Sequence, residues 1–113
     1  MLYNTLMQIR YYEDRHGQAP LTTWIEALPD KRAKTIIRAR LARVAGGNLG
    51  ELKPVREGVQ ELVINYGPGY RVYLSRQGPV LVLLLCGSDK KNQNREIEKA
   101  IEYLNDWKQR GKP

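Results

Sequence analysis

The sequence predicts an α+β fold in which helices pack against one face of a small sheet. Apolar residues recur at helical spacing in two long segments, which predicts two main helices. In the middle of the chain the apolar period falls to two, which predicts three short strands joined by Gly- and Pro-rich turns. The expected order is a strand, two helices, a three-strand antiparallel meander and a C-terminal helix, over about 9–12, 23–28, 31–45, 59–66, 70–76, 80–86 and 94–109.

The helix ends have recognisable capping residues. Thr23 and Glu26 have the spacing of a capping box, which predicts the start of a short helix. Asp30 is placed to cap the longer helix, which Gly46-Gly47 should end. The whole chain of 113 residues is expected to form one domain, 1–113, since domains commonly hold about 100–200 residues.

Positive charge is concentrated in the middle of the chain. The formal net charge is +7 at pH 7, and residues 31–91 hold twelve basic and four acidic side chains. Such a distribution is typical of a protein with one positive face and a polyanionic partner, such as nucleic acid. A solvated surface that happens to be basic is the alternative.

Several classes of protein and site are not expected from this sequence. Val80–Cys86 is the longest apolar run and is too short to cross a bilayer, and no signal peptide is visible. Cys86 is the only cysteine, so no intramolecular disulfide can form, and a cytoplasmic location is expected. His16 is the only histidine, and no phosphate-binding glycine loop is present. We therefore expect no metal, no cofactor and no membrane partner.

A group of polar side chains is expected on the exposed face of the meander, opposite the helices. The group comprises Arg71 and Tyr73 on one strand, Lys90 and Lys91 after the last strand, and Lys53 and Arg56 in the loop before the first strand. Arg38, beside Lys31 and Lys34 on the long helix, is a further candidate for RNA binding.

This group suits cleavage of RNA by its own 2′-hydroxyl. The reaction needs a base for the hydroxyl proton, cations for the charge on phosphorus and an acid for the leaving oxygen. Arg71 could contact phosphate through two N–H groups, and Tyr73 could stack on a base or donate a proton. A lysine crowded by cations could exchange protons near neutral pH. Simple phosphate binding or solvation of the sheet is the alternative.

Four segments of the sequence resemble a known family. They are Gly58-Val59-Gln60-Glu61-Leu62, Gly67-Pro68-Gly69-Tyr70-Arg71-Val72-Tyr73, Leu83 to Gln93 and Glu96 to Ala100. Together they resemble the addiction-module killer proteins, which are HigB-like toxins of the RelE/ParE superfamily. The resemblance implies a RelE/ParE-like fold and a toxin that cleaves messenger RNA without metal, often on the translating ribosome. It also implies a cognate helix-turn-helix antitoxin that forms a hetero-oligomer with the toxin.

The resemblance also implies roles for individual residues. Arg71 matches the arginine that contacts the scissile phosphate, and Lys90 matches a lysine for charge stabilisation or proton transfer, with Lys91 as the alternative. Val63 stands where the family commonly has an arginine, and Ile97 or a neighbour stands where RelE has a tyrosine. Two other functions stay open: a ParE-like inhibitor of DNA gyrase, and a non-catalytic member that only binds its antitoxin or nucleic acid.

Overall fold

The computed structural model describes residues 6–113 as an α+β fold, as predicted, with a five-stranded mixed sheet and three α-helices. The strands lie in the order β1-β5-β4-β3-β2; β1 is parallel to β5, and the other neighbours are antiparallel. One turn of 3-10 helix, Lys90–Asn92, precedes the last helix. The elements are β1 (Gln8–Tyr11), α1 (Pro20–Ala27), α2 (Lys31–Ala45), β2 (Leu52–Arg56), β3 (Val59–Ile64), β4 (Tyr70–Gln77), β5 (Leu81–Asp89) and α3 (Gln93–Gln109).

Helices cover both faces of the sheet, so the prediction that they all pack on one face is wrong. On one face, Leu21 of α1 and Ile37 of α2 pack in a core cluster with Val72 of β4. On the other face, Leu104 of α3 packs in a second cluster with Tyr73, the neighbour of Val72 along the strand. Alternate residues of a strand point to opposite faces, so one apolar strand can supply both cores.

The meander has four antiparallel strands rather than three. The additional strand is β2, where a loop was expected to carry Lys53 and Arg56. Only two of its five residues are partly buried, and Pro54 in the middle lacks the backbone N–H that a paired strand residue usually donates. Because β2 forms the edge of the sheet, it buries few side chains. Its charged, proline-containing sequence therefore lacks the alternating apolar pattern that predicts a strand.

One of the two predicted helix starts is confirmed, and the other is wrong. Asp30 caps α2 as predicted, since its carboxylate accepts hydrogen bonds from the backbone N–H groups of Arg32 and Ala33. The capping box of the first helix is not formed. The helix begins at Pro20, because proline fits the first helical position, where the backbone N–H needs no partner within the helix.

At Gly87, α1 packs closely against the sheet. The indole of Trp24 lies over Gly87, and a Cβ at this position would come within 2.3 Å of Trp24 Cε3. The same indole meets the ring of Tyr70 edge-on, with 5.9 Å between centroids. Packing of the indole therefore requires glycine at this position.

Candidate functional site

An ion pair between two neighbouring strands is the centre of the candidate site. The Nε of Arg71 on β4 donates to Oε1 of Glu61 on β3 over 3.2 Å, and its Nη1 donates to the carbonyl of Gly69 over 3.0 Å. The Arg71 and Glu61 side chains are only 13% and 15% exposed. Arg71 was expected to stand freely on an outward face; it is instead held in one orientation by two acceptors.

An open cleft of about 430 Å³ lies beside this pair. Its walls come from the end of β3, the turn after it, Arg71 and the first residue after β5. Lys90 is exposed at its rim, so Arg71 and Lys90, the two cations predicted from the motifs, face the same space. The lining residues are Val63, Asn65, Tyr66, Gly67, Pro68, Gly69, Arg71 and Lys90.

Gly69 explains how Lys90 and Arg71 come close. Its φ of +81° lies in the left-handed region, which glycine adopts without strain. A Cβ at Gly69 would lie 3.4 Å from Nη1 of Arg71 and 3.8 Å from Cβ of Lys90. The turn between β3 and β4 therefore packs between the two cations and brings both to one wall of the cleft.

Lys53 lies in the same row of the sheet as Glu61. The two residues are directly opposite each other on β2 and β3, so their side chains share the face that carries Arg71. Lys53 is exposed at the edge of the sheet. It thus extends the positive surface away from Lys90, on the far side of the Glu61–Arg71 pair.

Tyr73 lies beside the site, on the same face of the sheet as Arg71, but it is buried rather than exposed. Its side chain is fully buried, and its hydroxyl shares a 3.0 Å hydrogen bond with Oγ of Ser88. Burial raises the pKa of Tyr73, and the hydrogen bond with Ser88 offsets part of this effect. The expectation that Tyr73 is exposed to stack on a base is therefore wrong; the ring is part of the core under α3.

The other three predicted residues lie outside the cleft. Lys91 is exposed in the 3-10 turn but does not line the cleft. Arg56 forms an ion pair with Glu98 of α3. Arg38 lies on α2, across the sheet, where it lines a different groove with Ile9. Of the predicted set the structure thus brings Arg71 and Lys90 together at the cleft, while Lys53 shares their face of the sheet without lining the cleft.

Glu61 is the functional candidate that the sequence did not reveal. In the sequence it stands only as one member of the Gly58 to Leu62 segment, and a single carboxylate between Gln60 and Leu62 does not by itself indicate a role. The useful signal was the alternation of β3, which places Glu61 and Val63 on one face, next to a strand whose Arg71 shares that face. Only the register of the two strands shows that these opposite charges meet.

The comparison with known sequences gives one informative relative. A protein of Haemophilus influenzae (strain Rd), described as uncharacterized, is 49% identical to this chain over 78 residues. The match covers 69% of this chain and 79% of that protein. The chain belongs to the family of this Haemophilus protein. No protein-family model matches the sequence.

The cleft offers hydrogen-bond donors for an anion, and a carboxylate acceptor lies beside it. Arg71 keeps one N–H-bearing nitrogen, Nη2, without a hydrogen-bond partner among residues 6–113, and Lys90 adds an ammonium group. Glu61 uses only Oε1 in the described hydrogen bonds, which leaves Oε2 as an acceptor. Arg71 and Lys90 can bind a phosphate in the cleft, and the Glu61 carboxylate, which touches Arg71 without lining the cleft itself, can accept a proton from a neighbouring hydroxyl.

Residues 6–113 lack two other kinds of feature. Within residues 6–113, no three side chains of His, Cys, Asp or Glu come together in a way that could hold a metal ion. None of the helices formed by that part of the chain is long and apolar enough to cross a membrane.

Proposed function

We propose that this protein is the toxin of a type II toxin–antitoxin module, a HigB-like member of the RelE/ParE superfamily that cleaves messenger RNA on translating ribosomes. The observation that carries the proposal is the Glu61–Arg71 pair beside an open cleft that Lys90 also lines. The motifs that resemble the killer proteins contain all three residues. The order of elements, with α3 after the meander, is compatible with a RelE/ParE-like fold.

In the proposed reaction the 2′-hydroxyl of the RNA attacks the adjacent phosphorus. Oε2 of Glu61 takes the hydroxyl proton, the new O–P bond forms, and the bond to the 5′-oxygen breaks. Arg71 binds the phosphate oxygens and stabilises the charge that builds on them. Lys90 gives a proton to the leaving 5′-oxygen. The products are a 2′,3′-cyclic phosphate and a 5′-hydroxyl, and no oxidant or co-reactant is consumed.

The ion pair itself prepares both groups for this reaction. Arg71 is fixed by Glu61 and by the Gly69 carbonyl, so little side-chain freedom is lost when phosphate binds. Tyr73 and Ser88 support the site from the side: Tyr73 follows Arg71 by two residues on β4, and Ser88 lies directly opposite Arg71 on β5, two residues before Lys90. In this proposal Tyr73 is a positioning residue.

The test measures message cleavage and gyrase inhibition side by side. Induction without an antitoxin should arrest growth, and primer extension on an abundant message should show new 5′ ends at a few codon contexts. Purified protein should leave gyrase supercoiling unchanged. Intact messages together with loss of supercoiling would establish the gyrase-inhibitor alternative, and normal growth at high soluble expression would contradict any toxin function.

A further inference from the structure

A second surface, remote from the cleft, lies between β1 and α2. It is a groove of about 390 Å³ with an apolar floor and a single charged side chain, Arg38, in its wall. Tyr11 is 43% exposed there, which is unusual for a large side chain beside a core. The lining residues are Ile9, Tyr11, Arg38, Leu41, Ala42, Ala45 and Leu84.

The strand beside this groove is an open edge of the sheet. Within residues 6–113, β1 is the last strand in the order and pairs only with β5. The N–H groups of Gln8 and Tyr12 donate to carbonyls of Val80 and Leu84. Since alternate residues of a parallel strand present their backbone groups to opposite edges, the groups of Ile9 and Tyr11 face outward. Such an edge is a template for one more strand.

The helix beside the groove is strongly and exclusively basic. α2 contains six Lys or Arg residues and no carboxylate. No ion pair links any of them to a carboxylate of the described chain. Arg38 follows Lys34 by four residues and Lys31 by seven, so these cations continue the side of the helix that Ala42 and Ala45 present to the groove.

We propose that this surface binds an extended segment of a partner protein that adds to β1 as a sixth strand. Alternate side chains of that segment are apolar and fill the groove over Ala42 and Ala45. Its carboxylates pair with Arg38 and Lys34. β1 starts next to the end of α2, where the Met7 N–H donates to the Ala45 carbonyl, so the carboxylates belong at the Tyr11 end of the added strand.

Two features favour a peptide over RNA as the occupant. Outward backbone groups on a strand edge pair with another polypeptide backbone, which nucleic acid cannot reproduce. The floor is made of aliphatic side chains, with no exposed basic residue other than Arg38 among those that line it. In the proposed toxin, the antitoxin would be the source of this segment, and to that extent the inference rests on the proposed function.

The position of the groove has a consequence for regulation. Ile9 and α2 lie on the face of the sheet that carries Val72, whereas Arg71 and Glu61 lie on the opposite face. A strand bound at β1 is separated from the Arg71 cleft by β5 and β4. A partner that binds only here therefore leaves the cleft open to RNA.

The test uses a displayed library of random peptides selected on the full protein. Enriched peptides should alternate apolar and other residues and carry Asp or Glu near one end. Arg38→Glu reverses the charge in the groove and Ala42→Glu fills it, and each should weaken peptide binding by roughly tenfold or more. Arg43→Glu is the matched control, with the same change of charge on the same helix outside the groove, and it should have little effect.

Amide exchange locates the bound peptide. The amides of Ile9 and Tyr11 should exchange more slowly in the complex, because their N–H groups become paired. Peptides that bind Arg38→Glu and Ala42→Glu as well as wild type would overturn the proposal, as would a selection that enriches no acidic peptide. A single-stranded RNA that protects these amides instead would make the groove a nucleic-acid surface. None of these outcomes depends on RNA cleavage, so failure here is distinguishable from failure of the proposed enzyme.

Discussion

Glu61 and Arg71 form an ion pair across β3 and β4 although they are not directly opposite each other. Arg71 faces Val63, and Glu61 faces Tyr73, so the 3.2 Å contact runs diagonally across the ladder. The long guanidinium side chain can reach a diagonal neighbour on the same face. Because both side chains are largely buried, this contact couples the stability of the sheet to the chemistry of the cleft.

The first prediction concerns stability. Arg71→Ala leaves the Glu61 carboxylate mostly buried without its cation, and it should lower the free energy of unfolding by about 1–3 kcal/mol. A fully exposed arginine would cost less than about 0.5 kcal/mol. The measurement is urea unfolding of Arg71→Ala, Glu61→Gln and the double variant. The double variant should be more stable than the sum of the two losses predicts, and strict additivity would show that the pair contributes nothing.

The second prediction concerns the chemical step. Glu61→Gln and Arg71→Ala should each lower the single-turnover cleavage rate on programmed ribosomes by roughly 100-fold or more, since one removes the base and the other a charge-stabilising donor. Lys90→Ala should act similarly, and Arg71→Lys should restore only part of the rate. Lys91→Ala is the matched control, because Lys91 is an exposed neighbour outside the cleft.

The outcome separates catalysis from simple anchoring. If Arg71 and Lys90 only bind phosphate, their variants need more ribosome complex for saturation but then cleave at the wild-type rate. Such a result would remove both from the mechanism and move the search to Lys53 and Arg56, the cations that β2 places on the same face. Thermal melting of each variant controls for loss of fold.

The sequence predicted the helices and strands whose apolar residues recur at a regular spacing, but it did not predict how these elements pack against each other. The apolar pattern located α2, α3 and the strands around Tyr70 and Val82, because each buries a regular face. It could not show that α3 crosses to the other face. Tyr73 was expected to be exposed because it points to the opposite face of β4 from the buried Val72. Alternation shows only that the two side chains point to different faces, and here helices cover both faces. The motif around Arg71 predicted this residue as part of the site, whereas the contact of Glu61 with Arg71 could be inferred only from the register of β3 and β4.

The third prediction tests the packing of Trp24 on the sheet. Gly87→Ala places a Cβ 2.3 Å from the indole, which must then shift from its edge-on contact with Tyr70, so the fold should lose about 1–3 kcal/mol. Gly46→Ala is the matched control: its φ is −76°, and an added Cβ would meet nothing closer than 3.5 Å. It should change stability by less than about 0.5 kcal/mol. Equal unfolding midpoints for the two variants would contradict this packing.

The fourth prediction concerns acid stability. The hydroxyl of Tyr12 donates to Asp106 over 2.7 Å and lowers the pKa of that carboxyl below its usual 3.8. A lowered folded-state pKa gives stability that is present above pH 3.8 and lost as the pH falls through the folded-state value. Tyr12→Phe and Asp106→Asn should therefore flatten the fall of unfolding free energy in this acid range. An unchanged acid slope in both variants would show that this hydrogen bond does not matter for acid unfolding.

The last prediction concerns Val63, which stands where the resembling family commonly has an arginine. Val63 lines the cleft and lies directly opposite Arg71, so Val63→Arg adds a cation within reach of the same phosphates. One added phosphate contact should tighten binding to single-stranded RNA and steepen its dependence on salt by a slope of about 0.7. Val63→Gln is the control, because it adds length and polarity without charge. Fluorescence titrations of a labelled RNA at several salt concentrations give the slope. The new arginine can also compete with Arg71 for Glu61. In that case the RNA slope stays at the wild-type value while cleavage falls, and position 63 would then be a wall of the cleft rather than part of its phosphate-binding surface.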